Sequence, residues 1–148
     1  MPYCLLADLK NQIPEEKIID LTDDEGAGII NEARVTEAIA KADALIDSYC
    51  GQVATVPFVT VPAVIKQHSI TLAIYYLYTR RAVAPELIKD NYKDAIKHLG
   101  DISTGKAALP PTTEADYEDN IETSRTEEDR IFNMGKKSDG SSGSLDNY

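Results

Sequence analysis

Cysteine is scarce in this chain, clustered basic charge is missing, and so is any long apolar run. The two cysteines, Cys4 and Cys50, are too few for a disulfide framework and show no C-x-x-C spacing, so both are expected as reduced thiols. No stretch approaches the ~18 consecutive apolar residues of a membrane helix. The opening "MPYCLLADLKNQ" has no basic segment leading into an apolar one. The expectation is a soluble protein with no membrane partner, made in the cytoplasm. Against 25 Asp and Glu stand 15 Lys and Arg, a formal charge of −10. A surface that grips nucleic acid needs clustered cations to neutralise phosphates, so such a surface is not expected. The two histidines, His68 and His98, lack H-x-x-x-H spacing. Neither is expected to bind zinc or to act in catalysis, and His68 is read as a hydrogen-bonded core residue.

What is present is enough apolar material for one domain: 43% of the 148 residues are hydrophobic. Charge divides unevenly, with 11 basic and 15 acidic side chains in residues 1–106 and 4 and 10 in residues 107–148. The later part also changes in kind. "LPPTTEADYEDNIETSRTEEDR" has few large apolar residues, and "GKKSDGSSGS" has a linker composition. The boundary falls near Ala107 to Pro111, giving a helical body over 1–109 and an extended, flexible, acidic C-terminal tail over 110–148.

Within the body the apolar period is helical. In "NEARVTEAIAKADALIDSYCG", Val35, Ala38, Ile39, Ala42, Leu45, Ile46 and Tyr49 recur at intervals of three and four. Asn31 is placed to cap the first turn, and Gly51 to close the last in the left-handed conformation. "QVATVPFVTVP" is rich in β-branched residues with Pro57 and Pro62, which suits an extended loop or a short edge strand. From Pro62, "PAVIKQHSITLAIYYLYTRR" is apolar around nearly its whole circumference and predicts a central, buried helix. A further helix runs from Pro85 to Gly105 on a stripe of Ile88, Tyr92, Ala95, Ile96, Leu99 and Ile102. Shorter turns are expected at Leu5 to Asn11 and Pro14 to Leu21, where Glu15 and Glu16 suit a helix start. The fold class is mainly α: a small bundle of about four helices plus short turns.

Chemical motifs are thin. Gly100, Gly105 and Lys106 in "HLGDISTGKAALPP" stand at the G-x-x-x-x-G-K spacing of a phosphate loop. That loop requires a strand before it, a helix after it, and Ser or Thr following the lysine. Here a helical stripe comes first, Ala107 follows, and Pro110 and Pro111 forbid a helix. Gly105 is better read as a helix C-cap, with Lys106 complementing the dipole. "GAG" at 26–28 follows "LTDDE", which is no strand, and lacks the third glycine of a dinucleotide fingerprint. Asp23, Asp24 and Glu25 lack the ligand pattern of a calcium loop and read as solvated. Tyr75, Tyr76 and Tyr78 are expected to point apart, dividing between core and interface. Arg80 and Arg81 are expected to end their helix with charges that suit its dipole. No catalytic, cofactor or metal set is expected, nor an enzyme.

In the tail, Ile131, Phe132 and Met134 form an apolar cluster amid charged sequence, the pattern of an anchor. "DRIFN" is expected to add a strand to a neighbouring chain or to seat Phe132 in an intersubunit pocket. Burying Phe132 would contribute roughly 1.5–3 kcal/mol per subunit. Fully extended, Pro110 to Tyr148 spans on the order of 130 Å at ~3.3 Å per residue.

Four segments taken in order, "LADLKNQIPEEKIIDLTD", "NEARVTEAIAKADALIDSYCG", "VPAVIKQHSITLAIYYLY" and "YKDAIKHLGDISTGKAAL", resemble the Mu-like phage head-to-tail connector proteins. "DRIF" and the final "LDNY" are similar to the family's tail, whereas the spacer "NMGKKSDGSSGS" is longer than the family's pattern. The resemblance implies a structural virion protein of the neck, synthesised in the bacterial host cytoplasm. It implies a homo-oligomeric ring, expected as a dodecamer, docked under the portal protein and joining head to tail. Genomic DNA would pass its channel without specific binding, and carboxylates facing that channel would discourage adhesion. By the same resemblance Arg130, Ile131, Phe132, Leu145 and Tyr148 are the expected partner-binding residues. A different neck or tail-completion role is the near alternative, a small-molecule enzyme the distant one.

Overall fold

A computed structural model of the chain describes residues 1–81 and 84–109; the tail expected from residue 110 onward lies outside them. The described residues form five helices in the order α1 (Leu6–Gln12), α2 (Glu15–Thr22), α3 (Glu32–Cys50), α4 (Ala63–Arg81) and α5 (Glu86–Ser103). The expected mainly α fold is what is found. The two short N-terminal segments read as turns are themselves helices, of seven and eight residues.

Local chemistry accounts for the ends. Asn31 accepts from the Arg34 backbone N–H at 3.3 Å, satisfying one of the donors orphaned at the start of α3. Pro14 and Pro85 stand as the N-caps of α2 and α5, where a missing N–H costs nothing. Gly105 has φ 73°, and the Lys106 N–H bonds the Asp101 carbonyl at 2.8 Å while the Gly105 N–H bonds Ile102 at 3.0 Å. This pair of bonds is a Schellman motif, so the second glycine of the near-miss phosphate loop is a helix terminator, as read from its context.

The other expected glycine cap is corrected. Gly51 has φ −62° and ψ −11°, an ordinary right-handed conformation. The chain continues past it in a tight turn, with the Val53 and Ala54 N–H groups both bonding the Cys50 carbonyl. Glycine serves here because a Cβ would lie 3.0 Å from the Asp47 carbonyl oxygen. Of the extended loop or short edge strand expected for residues 52–62, the loop is what is found. No strand occurs among the described residues, so an edge strand would have nothing to pair with. Val56, Phe58 and Val61 instead pack against the core.

α4 is the central element, in contact with each of the other four helices, and the α3–α4 interface is the most extensive. This follows from its composition: Ile65, Ile70, Leu72, Ala73, Ile74 and Leu77 are all buried, spread around the helix rather than along one stripe. α3 contributes Val35, Ala38, Ile39, Ala42 and Ile46 to the same core, and α5 contributes Ala95, Leu99 and Ile102. Both cysteines are free and buried. None of the described helices is long and apolar enough to cross a membrane.

Candidate interaction surface

α3 carries a second stripe beside its core face. Glu32, Thr36, Ala40, Asp43 and Asp47 recur at intervals of three and four and therefore lie along one side. Residues 1–7 are fastened alongside it. The Tyr3 backbone N–H donates to Asp43 Oδ2 at 3.0 Å, and the Tyr3 hydroxyl donates to Asp47 Oδ1 while accepting from the Phe58 N–H at 3.1 Å. Its ring is buried and meets Phe58 at a centroid distance of 5.6 Å. Burial, then the hydrogen bond to Asp47, hold the Tyr3 hydroxyl above its ordinary range, so it remains a donor at any physiological pH.

A third anchor comes from α4. Ser69, fully buried, donates to Asp43 Oδ1 at 2.7 Å and has the Cys4 Sγ at 3.1 Å. Burial pushes the Cys4 thiol up to about 11, which makes it a packed, unreactive thiol rather than a nucleophile. Between residues 1–7 and α3 these bonds leave a groove of about 730 Å³. Leu5, Leu6, Val35 and Ile39 give it apolar walls, Glu32, Asp43 and Asp47 supply carboxylates, and no basic side chain lines it. Sequence reasoning missed this groove. Its signal was the small-and-acidic stripe of α3, set beside an apolar stripe that alone drew attention.

At the far end of α2 the acidic run is not merely solvated. Asp23 accepts from the backbone N–H groups of Glu25, Ala27 and Gly28, folding the loop and lowering its own pKa. Asp24 receives Arg80 through two nitrogens, at 2.7 and 3.0 Å, and Arg34 at 2.8 Å. The Arg80 hydrogen bond is the main reason its carboxyl titrates below the usual range. Arg80 and Arg81 do more than end α4. Together with Arg34 they donate to the carbonyls of Asp20, Leu21, Thr22 and Asp23, the groups that the end of α2 leaves unpaired.

The histidines are not alone. His68 Nε2 lies 2.7 Å from His98 Nδ1, joining α4 to α5. His68 is hydrogen-bonded as expected but only partly buried rather than a core residue, and burial followed by the His98 charge lowers its pKa. The tyrosines are also reassigned. Tyr75 stacks on Tyr92 of α5 at 3.9 Å and Tyr76 meets the same ring edge-on at 6.4 Å, so two residues expected to diverge share one partner. Lys106 enters no ion pair among the described residues. No group of three or more His, Cys, Asp or Glu is placed to hold a metal ion among them. The expected partner-binding residues Arg130, Ile131, Phe132, Leu145 and Tyr148 all lie outside the described residues.

Among the described residues these features define a small helical domain whose polar side chains hold helix ends and an N-terminal clasp, beside an acidic, apolar-walled groove. A family model described as Bacteriophage Mu, Gp36 matches residues 3–128, and the chain belongs to that family. Among curated relatives, the Mu-like prophage FluMu protein gp36 of Haemophilus influenzae is 36% identical over 80 residues, covering 54% of this chain and 55% of that protein. The match thus spans about half of the relative's length. Both findings place the chain among proteins of Mu-like phages, where the ordered segments had pointed.

Proposed function

We propose that the chain is a structural head-to-tail connector, forming a ring beneath the portal in the virion neck. Membership of a Mu phage family over residues 3–128 carries the reading. The body supports it in two ways. Leu5, Ile29, Val53, Val59 and Leu87 are large apolar side chains that a single copy leaves exposed, Val59 at 94%, and lateral contacts in a ring would cover such residues. The charge of −10 suits a channel that DNA must traverse without sticking. In this reading the portal, neighbouring copies and other neck or tail proteins are the partners, and the work is mechanical, with no reaction. Imaging the neck of purified particles tests it: density for this chain directly beneath the portal is expected. Density at the tail tip, or absence of the chain from particles, would overturn the assignment.

A further inference from the structure

We propose that the groove between residues 1–7 and α3 receives the segment Arg130 to Lys137 of a second copy of this chain. The proposal rests on the ring reading, and it gives the tail anchor a defined receptor.

Charge complementarity is the first argument. Residues 110–129 hold eight acidic side chains and one basic, whereas "RIFNMGKK" at 130–137 holds three cations and no acid. It also holds Ile131, Phe132 and Met134 in four positions. The groove is its counterpart, with apolar walls, the carboxylates of Glu32, Asp43 and Asp47, and no basic side chain. Asp43 and Asp47 already accept hydrogen bonds from Ser69 and Tyr3, which fixes their positions. Glu32 enters no ion pair among the described residues and is exposed at the first turn of α3. It is therefore the carboxylate best placed to take up Arg130 or a lysine. The volume, about 730 Å³, lies in the range that encloses a compact apolar ligand, ample for Phe132 with Ile131 or Met134.

Reach is the second argument. Arg130 stands 21 residues beyond Leu109, an extended span of up to about 70 Å. A body of this length has a radius of gyration of about 13 Å, so the segment can cross to an adjacent copy. Exchange of an identical element between protomers adds an interface at every subunit without requiring a second kind of surface.

The test uses full-length chains carrying one new cysteine each. Thr36→Cys places a thiol on the exposed rim of the groove and Asn133→Cys one inside the segment; native Cys4 and Cys50 are buried and do not compete. The two variants are mixed in a glutathione redox buffer, so that disulfide yield reports proximity at equilibrium. A mixed 36–133 disulfide is expected well above the yield of a Glu86→Cys and Asn133→Cys pair. Adding Phe132→Ala should lower it about tenfold or more, as loss of a buried aromatic requires. Arg130→Glu should lower it about two- to fivefold, and Glu32→Lys in the partner should restore it. Circular dichroism of each variant checks that the fold is intact. Yields equal to the Glu86 control, or yields indifferent to both tail substitutions, would each overturn the proposal. None of these results would move the chain out of the neck, which particle imaging decides separately.

Discussion

Removing the Tyr3 hydroxyl while keeping its ring tests whether the N-terminal clasp is a hydrogen-bonded structure or only a hydrophobic one. In Tyr3→Phe the buried ring keeps its packing on Phe58, but Asp47 loses a donor and the Phe58 N–H loses an acceptor. An orphaned buried polar group costs about 1–3 kcal/mol. Asp47 and Phe58 are both only partly buried, so water can reach them and the lower end applies, about 1 kcal/mol. Tyr3→Ala loses the ring as well, and by analogy with truncated core aromatics should cost about 3–5 kcal/mol. For a body of roughly this size, 1 kcal/mol moves the melting temperature by about 4–8 °C. The assay is urea and thermal unfolding of wild type, both variants and Asp47→Ala, closed as a double-mutant cycle between Tyr3→Phe and Asp47→Ala. Coupling of about 0.5 kcal/mol or more is expected. If Tyr3→Phe is within experimental error of wild type while Tyr3→Ala is severely destabilised, the hydroxyl contributes nothing and the hydrogen-bond argument is wrong.

Two glycines and one core leucine should answer an Ala substitution differently. Gly105→Ala forces a Cβ onto φ 73° with nothing nearby to clash, so it should cost about 1–2 kcal/mol from backbone conformation alone. Gly100→Ala, inside α5 with open space at the added Cβ, should stabilise by about 0.4–1 kcal/mol in the same melts. Leu72→Ala, at a fully buried position of the central helix, should cost about 2–5 kcal/mol by urea titration. Acidification should weaken the body through His68. Its folded pKa is lowered, so its contribution is complete above the unfolded value near 6.5 and is lost as pH falls through the folded value. Urea midpoints between pH 7.5 and 5 should decline, and His68→Gln should flatten the decline. Lys106→Ala should leave calorimetry with ATP and magnesium as featureless as wild type, because Gly105 and Lys106 build a Schellman turn; saturable micromolar binding lost in the variant would contradict this.

The helices and their ends were readable because both signals are local. Apolar intervals of three and four mark a face, and Asn31, Pro14, Pro85 and Gly105 each act within a turn of their own position. What periodicity does not carry is the rotation of one helix against another. His68 and His98 are 30 residues apart and looked solitary until α4 and α5 were set side by side. Arg80 reaches Asp24 across 56 positions, a pairing no local pattern announces. The shared partner of Tyr75 and Tyr76 went unseen for the same reason: adjacent positions start in different directions on a helix, but both rings meet Tyr92 of α5. Gly51 misled in a different way, since a glycine after a helix is read as a left-handed cap when close approach to the Asp47 carbonyl is an equally good reason for it.

The ion pairs sharpen the meaning of the overall charge. Of the eleven Lys and Arg in residues 1–106, nine are engaged with carboxylates among the described residues, leaving Lys97 and Lys106. Eight carboxylates in the same span enter no such pair, including the three in the groove. Each exposed pair adds little stability, yet each takes a cation out of reach of other anions. The arginines are spent most completely, on Asp24 and on the carbonyls that end α2. The body therefore offers a phosphate backbone less purchase than its count of basic residues implies. A neighbour's groove carboxylates, in turn, find few unengaged cations on that body, whereas Arg130, Lys136 and Lys137 stand together in the sequence beyond it. In the proposed ring, the distribution of charge that would discourage DNA from adhering would also favour the tail as the occupant of the groove.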